Sequence, residues 1–423
     1  MAPDGAPISF AALGVPAPIV AGLERRGITA PFPIQVATLP DALAGRDLCG
    51  RAPTGSGKTI AFGIPLVHRV GRARPGHPRA LVLVPTRELA GQVERELRAL
   101  AGPGRPRTLV VYGGVGFGGQ LAALRRGVDV VVATPGRLAD LVHQGACHLD
   151  EVDLVVLDEA DRMADMGFLP EVRRLLDRTA PSRQTLLFSA TLDGDVDVLV
   201  RRYQRRPVRH ELEVSDDAPV SDHRFWQVER TERVAVAARI AGAHWPSVVF
   251  CRTKRGADRV ARQLAREGVA TAAIHGDRSQ NQRERALADF ASGRVQALVA
   301  TDVAARGIHV DDVASVVHFD LPADHKDYVH RSGRTGRAGA AGLVVSLVPG
   351  DQLGDATRLQ RKLALAGGVV APDHGALGPG RPAPSRPTGR DERPGRGRSG
   401  DQGRTGAGPR GGGRSRSRSR RRR

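Results

Sequence analysis

The 423-residue sequence predicts an α/β protein of two tandem parallel-sheet domains, followed by a disordered basic tail. Three observations predict this. Short β-branched runs alternate with helical segments, the pattern of βα units around a parallel sheet. The alternation runs twice, on either side of a lapse in periodicity near residues 207–222. From about residue 368 Gly, Pro, Arg and Ser dominate without a single Phe, Trp or Tyr, so too little apolar surface remains to offset the entropy of ordering. The expected boundaries are an N-terminal lead-in at 1–36, a first domain at 37–208, a linker at 209–221, a second domain at 222–367 and the tail at 368–423.

In the first half the strand candidates are Leu81–Val84, Thr108–Val111, Val128–Val132, Leu154–Leu157 and Thr185–Phe188. Each runs into a polar or glycine-rich stretch: Pro85 to Glu88, Gly113-Gly114, Thr134 to Arg137, Asp158 to Asp161, and Ser189 to Thr191. Open α/β sheets bind ligands beyond the carboxyl ends of their strands, so these stretches should line one edge.

In the second half the candidates are Ser247–Phe250, Thr271–Ile274, Ala297–Ala300, Ser315–Phe319 and Leu343–Leu347. Apolar spacing at Ala257, Val260, Ala261, Leu264 and Ala265 predicts a helix over 255–267. Ser279 and Gln282 have capping-box spacing at the start of the next helix. Phe225, Trp226 and Trp245 are assigned to the second core rather than to a base-stacking platform.

The net charge is +19, and residues 374–423 carry 15 arginines against three acids. Four lysines against 60 arginines in the whole chain suggest GC-rich codons, but codon usage does not explain the run from Arg414 to Arg423. Such clustering predicts a solvated tail that binds nucleic acid through phosphates. No apolar run reaches the ~18 residues of a membrane span, and the N-terminus lacks the pattern of a secretory signal. Cys49, Cys147 and Cys251 have no metal or disulfide spacing, and neither do the 13 histidines. A monomeric cytoplasmic protein is expected.

Chemistry concentrates in Ala52-Pro53-Thr54-Gly55-Ser56-Gly57-Lys58-Thr59. Glycines let backbone N–H groups approach phosphates, a lysine reaches the outer phosphates, and a threonine hydroxyl suits Mg²⁺. Ala52 stands where the strict pattern has its first glycine. Asp158 and Glu159 follow the apolar run Val155-Val156-Leu157, so both carboxylates fall at a strand end. An aspartate there can hold Mg²⁺, directly or through water, and the glutamate can deprotonate an attacking water.

Asp158-Glu159-Ala160-Asp161 resembles the motif that names the DEAD-box RNA helicases, and a full set of such motifs, of the bacterial type, follows in order over about residues 10–340. Gly27 to Gln35, with Ile28 and upstream Phe10, resembles the adenine-reading Q motif. The resemblance implies two RecA-like domains, ATP and Mg²⁺ as cofactors, and RNA bound largely through its backbone. It assigns RNA contacts to Pro85, Thr86, Arg87, Gly114, Thr134, Pro135, Gly136 and Arg137 in the first domain. In the second it assigns them to Arg252, Thr253, Gly276, Gln280, Arg283 and Thr301. Coupling of hydrolysis to strand separation falls to Asp161, Ser189, Thr191 and His330. Arg334 and Arg337 are candidate arginine fingers, and the resemblance implies that Gly307 and His309 lie at the ribose.

Two positions depart from the family. Ile28 replaces an aromatic that stacks on adenine, and His309 replaces an aspartate at the ribose. The reading is an ATP-dependent helicase that unwinds short duplexes or remodels RNA–protein complexes. Ribosome-assembly or RNA-degradation proteins are its possible partners. The alternatives are an ATP-gated RNA clamp and a DNA translocase; the Q motif and the Asp-Glu-Ala-Asp spelling oppose the second.

Overall fold

The computed structural model describes residues 8–377, apart from 54, 103–105, 193, 213–220, 306–309, 311, 312 and 337–341. Thr54, Gly307, His309 and Arg337 therefore lie outside the described residues, as does the tail beyond 377.

The first sheet contains β1 (Leu48–Arg51), β2 (Ala80–Leu83), β3 (Thr108–Val111), β4 (Val130–Ala133), β5 (Leu154–Asp158), β6 (Gln184–Ser189) and β7 (Val208–Glu211). Its order is β3-β4-β2-β5-β6-β1-β7. The second contains β8 (Asp222–Gln227), β9 (Ser247–Phe250), β10 (Thr271–Ile274), β11 (Ala297–Ala300), β12 (Ser315–His318), β13 (Leu343–Val348) and β14 (Val369–Val370). Its order is β10-β11-β9-β12-β13-β8-β14. Every ladder is parallel, so helices return the chain across both faces of each sheet.

Period-two alternation builds two cores per sheet. In the first, Leu81, Leu83, Val131, Val155 and Leu157 face one helical layer, while Val82, Val130, Val132, Val156 and Phe188 face the other. In the second, Val249, Val299, Val317 and Val345 share a face opposite Val248, Phe250, Leu298 and Val316. Each fully buried Val or Leu contributes roughly 1.5–3 kcal/mol. Phe225 and Trp226 are core residues, as expected. The helix at Lys254–Arg266 and the Ser279–Gln282 capping box also form as read.

Four strands had no counterpart among the candidates: β1, β7, β8 and β14. β1 ends in Gly50-Arg51, which reads as loop; a Cβ on Gly50 would lie 2.6 Å from the Phe188 ring. β7 falls within the lapse of periodicity yet pairs with β1. Past residue 368 the chain stays on the fold, with β14 pairing β8 and His244 Nε2–H donating to the Leu377 carbonyl at 2.5 Å.

Candidate nucleotide site and nucleic-acid interface

β1 runs directly into the glycine-rich loop. The Ala52 N–H donates to the Ser189 carbonyl at 3.1 Å, tying the loop to the carboxyl end of β6. Gly55 and Gly57 hold φ of +84° and +87°, where a side chain is strained. The helix Lys58–Arg69 starts immediately, with Thr59 in its first turn, so its free amide groups face the loop. Lys58 is buried, and its Nζ donates to the carbonyls of Ala52 (2.8 Å) and Pro53 (3.2 Å). Ser56 Oγ donates to the Pro53 carbonyl at 2.8 Å.

Gln35 clamps this loop from the helix Pro33–Leu43. Its Oε1 accepts the Phe32 N–H at 2.9 Å and its Nε2 donates to the Gly57 carbonyl at 3.0 Å. Ile28 is half-buried against a small core that includes Leu23 and Ile64. Phe10 is buried in that core. The exposed aromatic beside Gly57 is Phe32, within the Gly27–Gln35 segment, at 53% exposure.

Asp158 closes β5, buried, and accepts the Glu159 N–H at 3.0 Å. Glu159 adopts φ 52°, ψ 51°, a left-handed conformation that turns the chain from strand into the helix Ala160–Asp165. Non-glycine residues rarely adopt it, and such strain gathers at functional sites. Its Oε2 accepts from Arg162 Nη1 at 2.8 Å, with both side chains under a tenth exposed. Arg162 was not singled out in the sequence; its i,i+3 spacing from Glu159 was the available signal.

Asp161 joins the two segments expected to couple. Its N–H donates to Ser189 Oγ at 3.1 Å, and its Oδ2 accepts the N–H groups of Ala190 (3.1 Å) and Thr191 (3.2 Å).

Across from this edge, His330, Arg331, Arg334 and Asp302 of the second domain share a cleft with Arg162. Arg331 forks onto Asp302 at 2.5 and 2.8 Å and donates to the Asp320 carbonyl at 2.7 Å. Arg334 is buried.

The segments expected to contact RNA are braced by their own helices. Thr86, after Pro85, caps the helix Arg87–Ala101, and the Arg87 guanidinium lies against Gly114. Thr134 and Pro135 open the helix Pro135–His143, which contains Gly136 and Arg137. Arg137 donates to the Val115 carbonyl at 3.0 Å and sits 4.0 Å above the Phe117 ring. In the second domain the Arg252 N–H donates to Asp320 at 2.9 Å, and Thr253 caps the helix Lys254–Arg266. Gly276 lies beside the Lys254 stem, and Thr301 follows β11, buried. Gln280 opens the helix Gln280–Ala291 and donates to Glu284 at 3.1 Å. Arg283 differs from the rest of the set: its guanidinium is buried and paired with Glu88 of the first domain at 3.0 Å.

The glycine-rich loop after β1 thus lies on the same strand-end edge as the Asp158–Glu159 pair, and His330, Arg331 and Arg334 of the second domain share a cleft with Arg162. A family model described as DEAD/DEAH box helicase matches residues 32–199, and one described as helicase conserved C-terminal domain matches 236–339. The chain belongs to the DEAD-box RNA helicase family. It is 43% identical over 368 residues to DEAD-box ATP-dependent RNA helicase 30 of Arabidopsis thaliana, covering 85% of this chain and 62% of that protein. With DEAD-box ATP-dependent RNA helicase CshA of Geobacillus kaustophilus the identity is 39% over 356 residues, covering 84% and 76%. The chain spans between 46% and 62% of the length of several plant relatives. Among solved structures, Saccharomyces cerevisiae Dbp5 bound to RNA and ADP BeF3 matches with a TM-score of 0.75 at 28% identity, over 86% of this chain and 95% of that one. The two sheets are tandem RecA-like domains. Among the described residues, no helix is long and apolar enough to cross a membrane.

Proposed function

We propose that this chain is an RNA-dependent ATPase and RNA helicase, in which hydrolysis requires the two RecA-like domains to close around RNA. The observation that carries the reading is the cleft where Arg162, the partner of Glu159, faces His330 and Arg334 of the other domain. Lys58 contacts the outer phosphates. Glu159 takes the proton of the attacking water, and Arg162 fixes its carboxylate. Arg334, with Arg337, meets charge developing on the transferred phosphoryl group, which ties the chemical step to closure. The Thr59 hydroxyl and the buried Asp158 carboxylate are hard oxygen donors that fit Mg²⁺. When bound there, the ion supplies neutralisation of phosphate charge.

The relative bound to RNA and a nucleotide analogue supports closure around RNA as the working cycle. The Geobacillus protein supports a compact bacterial-type enzyme. Three buried, unpaired cysteines support a reducing compartment such as the cytoplasm. The test is displacement of a short labelled RNA strand by the full chain with ATP. ATP-dependent displacement is expected; RNA retention without displacement would favour a clamp.

A further inference from the structure

The amino ends of the first sheet's strands, opposite the nucleotide loop, carry a second concentration of charge. Arg69, Arg183, Arg205 and Arg206 border a cavity of about 490 Å³, and none of the four pairs with a carboxylate among the described residues. Arginine is abundant everywhere in this chain, but here four unpaired arginines line one concavity, against two lining carboxylates that are already held by other donors. Asp47 is buried and accepts the N–H groups of Thr185 (2.7 Å) and Arg205 (2.6 Å). Asp153, on the rim, pairs with Arg79.

The cavity is built rather than accidental. Arg69 donates to Gln184 Oε1 at 2.6 Å, and Gln184 Nε2 holds the carbonyls of Ala42 (2.9 Å) and Arg46 (2.8 Å). The Arg183 guanidinium lies 5.7 Å from the Tyr203 ring centre and donates to the Ala180 carbonyl at 3.2 Å. Burial opposes its charge and outweighs the support of the nearby Asp47 carboxylate, so a bound anion would favour the charged form further. Arg206 is held at φ +45°, a strained conformation for a side-chain-bearing residue. Planar guanidinium forks match phosphate oxygens, and the volume lies in the range of small-ligand sites. The chain's own tail cannot neutralise the cavity, with 15 arginines against three acids in residues 374–423.

We propose that this cavity binds phosphate groups of a ligand distinct from the nucleotide at Lys58 and from RNA on the carboxyl edge. The phosphates come either from a free oligophosphate or from a second stretch of RNA.

The test titrates the full chain, its nucleotide site filled with ADP, with inorganic tripolyphosphate and separately with single-stranded RNA. It compares wild type with Arg69→Ala/Arg183→Ala/Arg206→Gly and with a charge-matched control, Arg239→Ala/Arg262→Ala/Arg266→Ala. The cavity variant should lose about tenfold or more in tripolyphosphate affinity, since its charge-assisted phosphate contacts are removed, and the control less than about twofold. An equal excess loss for RNA assigns the phosphates to RNA; unchanged RNA affinity assigns them to a free oligophosphate. If the triple variant fails to fold, Arg205→Gln/Arg206→Gly, which changes only exposed side chains, gives the same comparison. Equal losses in cavity and control variants, or no loss in either, overturn the proposal.

Discussion

Arg283 Nη2 lies 3.0 Å from Glu88 Oε1, with side-chain exposures of 5% and 6%, and joins the helix Gln280–Ala291 of the second domain to the helix Arg87–Ala101 of the first. Removing either partner strands a buried charge, which costs about 3–5 kcal/mol. Arg283→Ala and Glu88→Ala should each weaken RNA-stimulated ATP hydrolysis. Their effects should be non-additive by about 1–3 kcal/mol. Additive losses in a double-mutant cycle would mean that Arg283 acts on RNA directly.

Asp161 holds the Ser189–Thr191 segment through three hydrogen bonds. Asp161→Ala leaves the Ala190 and Thr191 amides without that acceptor, so the segment loosens while Lys58 and Glu159 stay in place. Strand displacement should fall further than ATP turnover on the same RNA. An equal fall in both would assign Asp161 to hydrolysis alone.

Gly57 cannot take a side chain without loss, since its φ is +87° and a Cβ would collide with Gln35 and Phe32. Left-handed backbone alone costs about 1–2 kcal/mol for an L-residue, and the collision breaks the Gln35 clamp as well. Gly57→Ala should raise the KM for ATP about tenfold or more, and Gln35→Ala should shift it in the same direction. An unchanged KM in both variants would show that the clamp does not shape the nucleotide site.

How far the sequence revealed all this depended on whether the signal was local. The β5 strand was legible because Val155, Val156 and Leu157 form a continuous apolar run ending in Asp158 and Glu159. β8 was hidden because Asp222, His223 and Arg224 lead into Phe225 and Trp226, a polar start for a buried strand. The nucleotide loop and the Asp161 segment were readable residue by residue. The Glu88–Arg283 pair was not, because it depends on how two separately folded sheets meet.

Asp129 anchors the first domain at the amino end of β4. Burial pushes its carboxyl up, but the Arg107 guanidinium and the N–H groups of Ala73 and Arg107 outweigh this and bring it down to about 2. A carboxyl depressed on folding stabilises above its unfolded value and loses that contribution as pH falls through the folded one. Asp129 should therefore contribute about 2 kcal/mol above roughly pH 4, declining towards pH 2. Urea midpoints between pH 2 and 7 should fall more steeply for wild type than for Asp129→Asn. Parallel curves would contradict the assignment.

The central claim is that Glu159 takes the proton of the attacking water while closure is built by other groups. Single-turnover hydrolysis by Glu159→Gln, with RNA binding followed in the same samples, tests it most directly. Hydrolysis should fall by about 10²–10⁴, while ATP-dependent RNA binding persists and outlasts that of wild type. Near-normal turnover in that variant would contradict the account.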